Sequence, residues 1–159
     1  MAIAWLIAQG IMSYVVQRYE IPSSSMEDTL LIGDSVLVDK FVYRLHDPKP
    51  GDLVVFLSPE DPDKRWIKRV VAVGDQTVDI RDGVVYVDGK RLTERYVNKR
   101  YPSHYDADTP VRVPDRMVYL MGDNRTNSQD SRYIGPQPLS RVVGRAFVIC
   151  WPIERARSL

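Results

Sequence analysis

From residue 34 onward the chain is cut into short valine-rich apolar runs by glycine, proline and Asp-Gly pairs, a punctuation that leaves no room for long helices. The runs are DSVLVDKFVY (34–43), DLVVFL (52–57), RWIKRVVAV (65–73), QTVDI (76–80), VVYVD (84–88), MVYLM (117–121) and VVGRAFVICW (142–151). Each reads as a strand. Asp82-Gly83 and Asp88-Gly89 sit between neighbouring runs, where a tight hairpin needs positive φ. The expected fold is therefore mainly antiparallel β, with a smaller hairpin and irregular part near 77–116. Within it, residues 98–116 lack periodicity, and a long irregular excursion of this kind is more often functional or mobile than core.

Composition narrows the partners. A formal net charge of +1, with basic and acidic residues interspersed, offers no stripe to attract nucleic acid. The single cysteine, Cys150, excludes an intrachain disulfide and reads as a buried small hydrophobe. His46 and His104 lie far apart in polar segments, so no metal site is expected. The exception to a soluble composition is MAIAWLIAQGIMSYVVQ, residues 1–17, which carries no charge before Arg18. As a helix it would be about 25 Å long, slightly short of a hydrocarbon core of about 30 Å. A membrane anchor is the leading reading; a cleaved secretory signal lacks the basic start, and a core helix would explain Gln9 and Ser13.

Three segments carry the chemistry. PSSSMEDTLLIGD (22–34) has consecutive serines, but a serine hydroxyl is a poor nucleophile until a base takes its proton, and neither histidine is near in sequence. A lysine can serve if burial lowers its pKa, and bringing about 10.4 down to neutrality takes on the order of 4 kcal/mol from the fold. RWIKRVVAV supplies an apolar setting in which alternation puts Lys68 on a face with Trp66 and Val70, and Arg69 on the other with Ile67 and Val71. GDNRTNSQDSRYIG (122–135), dense in hydrogen-bonding groups, follows a strand and could orient the lysine through Ser128.

Together with PGDLVVF, these blocks resemble in order the type I signal peptidases, membrane-bound Ser/Lys proteases that remove signal peptides from exported proteins. The resemblance implies an antiparallel β-sheet catalytic domain of the signal-peptidase and SOS-repressor protease type over 18–159, outside the cytoplasm, behind an N-terminal membrane-anchor helix at 1–17. It implies Ser25 as nucleophile, Lys68 as general base, and an oxyanion hole made by the Ser25 N–H and the Ser23 hydroxyl. Ser128 matches the serine that hydrogen-bonds the lysine. Arg69, Asp123, Asp130 and Arg132 match charged residues supporting the site, with Asp130 expected to pair with Arg132 and Asp123 with Arg69. Ile21, Met26, Leu30, Val36 and Ile67 are candidates for small pockets that select an Ala-x-Ala cleavage site. The chain departs from the family pattern at Asp28, where proline is frequent, and this is expected to loosen the turn after Ser25.

The family implies no cofactor and no metal. The expected partners are signal peptides of exported preproteins and the lipid bilayer of a bacterial plasma membrane, crossed once, with the enzyme a monomer. Two other readings are weighed against it. A self-cleaving SOS-type repressor would need a DNA-binding segment ahead of the serine, where this chain has an apolar run. A non-catalytic, membrane-tethered β binding module would need neither Ser25 nor Lys68.

Overall fold

The computed structural model describes residues 15–97 and 103–159. All seven valine-rich runs carry strands, and among the described residues five further strands join them. In chain order these are β1 (Val16–Glu20), β2 (Ser35–Asp39), β3 (Leu53–Leu57), β4 (Arg65–Val73), β5 (Thr77–Arg81) and β6 (Val84–Val87). They continue as β7 (Lys90–Arg91), β8 (Val111–Arg112), β9 (Met117–Met121), β10 (Gln137–Pro138), β11 (Val142–Trp151) and β12 (Arg157–Ser158). Pairing is antiparallel throughout.

One large sheet runs β1-β2-β11-β3-β4-β9-β10, with β12 added beside β11, and a smaller sheet runs β7-β6-β5-β8. Both faces of the large sheet are covered near its centre. Leu53 and Val55 of β3 pack with Val36, Val38 and Ile149, whereas Val54 and Phe56 pack with Val70 and Leu120. That two-sided burial explains why the β3 run is continuously apolar rather than alternating. A third cluster, built on Val71, Tyr119, Ile80 and Val85, joins the two sheets.

The run at 34–43 is a strand only as far as Asp39. There the Asp39 carboxylate accepts from the backbone of Phe41 at 2.8 Å and of Val42 at 3.0 Å, turning the chain into a 3-10 turn at Val42–Arg44. The aperiodic stretch after Asn98 is also more structured than its composition suggests. Residues 98–102 lie outside the described part, but Val111–Arg112 forms β8 against β5, and Val113 is fully buried.

Most of the charge-free run at 1–17 lies outside the described residues, so the anchor expectation does too. Its last two positions, Val16 and Gln17, belong to β1 and pair with Asp39 and Val38. No helix among the described residues is long and apolar enough to cross a membrane.

Candidate active site

Ser25 lies in a 3-10 turn, Ser24–Met26, directly after β1. The turn is pinned from below by Met26, which is fully buried, and Ser25 itself is 8% exposed. The backbone N–H groups of Thr29 and Leu30 donate to the Met26 carbonyl at 3.1 and 2.7 Å, which closes the loop under the serine. Asp28 adopts φ 77° here, a left-handed conformation that proline, locked near −65°, cannot take. The replacement of proline is thus not a looser version of one turn but a turn of different backbone geometry.

Lys68 sits on β4 opposite Val54 and is 4% exposed. Its Nζ lies 2.8 Å from Ser25 Oγ and 3.1 Å from the Ile67 carbonyl oxygen, which accepts from it. The ammonium also stands 5.7 Å from the centre of the Trp66 ring, its neighbour on the same face. Burial, opposed by the charges of Asp130 and Asp123, lowers the Lys68 pKa to about 8. The amine is therefore available as a proton acceptor close to neutral pH. Ser23 Oγ lies 3.4 Å from Ser25 Oγ, on the open side of the nucleophile.

Behind this pair, the 122–135 loop holds the remaining charges. Arg69 grips Asp123 through two bonds of 2.8 and 2.6 Å, and the Thr29 hydroxyl donates to the same carboxylate at 2.6 Å. Arg132 binds Asp130 through Nε at 2.8 Å and Nη2 at 2.9 Å, with both side chains almost wholly buried. Burial alone would raise the Asp130 pKa, but the Arg132 guanidinium outweighs it and holds the carboxyl below its usual value. The Asp130 carboxylate also accepts from the Gly122 N–H at 2.9 Å. Gly122 must be glycine for reasons of space, since a Cβ there would meet Ser128 Oγ at 2.2 Å and the Ser25 carbonyl oxygen at 2.5 Å.

Two expectations need correction. Ser128 Oγ is buried beside Gly122 and makes no hydrogen bond to Lys68, whose Nζ bonds to Ser25 and to its own strand at Ile67 instead. The second concerns the pockets. A groove of about 600 Å³ runs past Ser25 and Lys68, and of the five pocket candidates only Ile21 and Ile67 line it. Met26, Leu30 and Val36 are fully buried in the core beneath, because β2 is paired on both edges and the Met26 turn points inward.

The groove is lined instead by Tyr19 of β1 and Pro22 ahead of the serine turn on one side, and by Trp66, two residues before Lys68 on β4, on the other. Asn127 and Gln129 contribute from the loop. Alternation along RWIKR pointed to Trp66; nothing local in the sequence pointed to Tyr19 or Asn127.

A serine hydroxyl paired with a buried amine, at the floor of an open groove on a β scaffold, is the arrangement of a serine protease that uses lysine where others use histidine. Residues 1–151 match the family described as signal peptidase, peptidase S26, and the chain belongs to that family. The probable signal peptidase I-2 of Synechocystis sp. is 43% identical over 165 residues, a match covering 100% of this chain and 74% of the relative. Signal peptidase I of Mycobacterium tuberculosis is 34% identical over 208 residues, covering 96% and 71% respectively. A crystal structure of a signal peptidase I from Enterococcus faecalis superposes with a TM-score of 0.53 at 31% identity, over 63% of this chain and 97% of that one.

Proposed function

We propose that this chain is a membrane-tethered endopeptidase that removes signal peptides from exported preproteins, with Ser25 as nucleophile and Lys68 as general base. The observation that carries the reading is the 2.8 Å contact between Ser25 Oγ and a lysine amine that is buried and whose pKa is lowered to about 8. In its neutral form Lys68 accepts the Ser25 proton as Oγ attacks the scissile carbonyl carbon. The developing oxyanion is met by the Ser25 N–H and the Ser23 hydroxyl. Lys68 then passes the proton to the departing amine, the new N-terminus of the mature protein. In the second half, Lys68 takes a proton from water, hydroxide attacks the Ser25 ester, and the proton returns to Oγ as the signal peptide leaves with a carboxylate. Asp123 and Asp130, each neutralised by an arginine, hold the loop against the serine turn without touching substrate.

The substrate's path follows from two unpaired strand edges. Among the described residues β1 is paired only to β2, and β4 is paired to β9 only from Arg69 onward, so Arg65–Lys68 leaves one edge open. Both edges flank the groove. An extended peptide laid between them gains main-chain hydrogen bonds from the strands and selectivity from shallow apolar pockets beside Ile21 and Ile67. Such pockets suit small residues, as in Ala-x-Ala, because a larger side chain meets packed core.

The charge-free run at 1–17 supports a single membrane anchor, and the family resemblance supports a bacterial plasma membrane with the catalytic part on its extracytoplasmic face and an enzyme that works as a monomer without cofactor. Cleavage of a synthetic peptide with alanine at positions −1 and −3 tests the reading. Ser25→Ala and Lys68→Ala are each expected to lose at least about a thousandfold in kcat/KM. The wild-type rate should rise with pH around 8, and near-normal cleavage by either variant overturns the assignment.

A further inference from the structure

Asn124 straddles the two peptide units on either side of Ser25. Its side-chain Nδ2 donates to the Ser24 carbonyl oxygen at 3.1 Å, and its backbone N–H donates to the Ser25 carbonyl oxygen, also at 3.1 Å. The side-chain amide has no freedom to flip. Nδ2 gives its second proton to Glu27 Oε2 at 3.2 Å, and the Asn124 Oδ1 accepts from the Thr126 hydroxyl at 3.2 Å. The residue is 7% exposed and does not itself line the groove, although Ser24 and Ser25, which it holds, do.

A peptide unit is planar, with its C=O and N–H pointing in opposite directions. The Ser24 carbonyl and the Ser25 N–H belong to one such unit. Holding the carbonyl oxygen therefore aims the N–H, and holding the next carbonyl as well restricts both backbone dihedrals of Ser25. No acceptor among the described residues is bonded to the Ser25 N–H, which is left to a ligand. We propose that Asn124 is a positioning residue for the oxyanion hole, fixing the direction of the Ser25 N–H by gripping the carbonyl oxygens of Ser24 and Ser25. The inference rests on the reading of Ser25 as nucleophile and adds a residue which that reading does not use.

An oxyanion donor acts in the transition state and not in the bound substrate, so misaiming it lowers kcat and spares KM. In the full-length chain, with the alanine peptide as substrate, Asn124→Ala is expected to lower kcat by about tenfold, leave KM within about twofold, and leave the rising pH limb in place. The isosteric Asn124→Asp keeps the shape and loses both amide protons, so it should fall as far. Recovery in the aspartate variant would mark a packing role and overturn the proposal. So would kcat within twofold of wild type in Asn124→Ala, or a displaced pH limb, which would place the effect on Lys68. Titration of active sites corrects each rate for misfolded enzyme. Should Asn124→Ala not fold, Glu27→Ala, which frees the amide, carries the same signature at smaller amplitude, and an unchanged kcat there overturns the idea. Ser25→Ala in the same assay separates the two levels: activity in that variant sinks the reading of the site, whereas an inert Ser25→Ala beside an unimpaired Asn124→Ala sinks only this inference.

Discussion

Lys68 is held where its charge is unwelcome, and that placement links activity to stability. Its folded pKa of about 8 lies below the unfolded value of 10.5, so between these two pH values the unfolded chain binds a proton that the folded chain does not. Stability attributable to this group therefore rises with pH through that window. Below about pH 8 both states are protonated and the penalty is complete, on the order of 3 kcal/mol. Lys68→Met should then be inactive yet more resistant to denaturant than wild type at pH 7, with the advantage shrinking as pH climbs from about 8 to 10.5. Equilibrium unfolding at several pH values checks this, and a variant no more stable than wild type at pH 7 refutes it. The strand alternation already visible in RWIKR placed Lys68 beside Trp66, but its dryness was not visible, because the Ser25 turn that covers it comes from 43 residues away in sequence.

At the scale of elements, the small sheet braces the catalytic loop through side chains of low local information. Glu94, just after β7, forms a salt bridge with Arg125, whose Nε donates to the Gly122 carbonyl oxygen at 3.0 Å. The Tyr96 hydroxyl donates to Glu94 at 3.2 Å, and its ring lies 3.9 Å from the Arg69 guanidinium. On the other side Tyr105 donates to the Arg132 carbonyl oxygen at 3.1 Å. Removing one partner of a buried pair strands the other, at about 3 to 5 kcal/mol, whereas an exposed pair is worth at most about 1 kcal/mol. Glu94→Ala should accordingly destabilise the protein by several kcal/mol, and Arg112→Ala, which breaks the exposed pair with Asp75, by at most about 1 kcal/mol. Chemical denaturation of the two variants side by side measures the contrast; equal losses would show that the Glu94 pair does not brace the loop. Strands as short as β7 and β8 were missed in the sequence because two residues carry no period, and they exist only through pairing with β6 and β5.

Across the whole molecule, the large sheet starts at β1 and curls until that edge and the open part of β4 face each other over one groove. A bound peptide would complete the ladder on both sides. Amide hydrogen exchange with an uncleavable signal-peptide analogue should therefore slow at 19–21 and 65–67 together, while β10, at the far end of the sheet, stays as it was. Protection confined to one edge would mean that the peptide adds to a single strand. The order of the valine runs, their bounding turns and the Ser and Lys blocks were open to reading in the linear chain, since period-two burial and turn chemistry are local properties. The pairs Arg69 with Asp123 and Arg132 with Asp130 were expected from the resemblance to the signal peptidases and not from local order. What tertiary structure alone decided was which apolar side chains face the groove, where Ser128 points, and that Asn124 meets the serine turn. These depend on chain segments roughly 100 residues apart being brought together, and no local period encodes the distance between them.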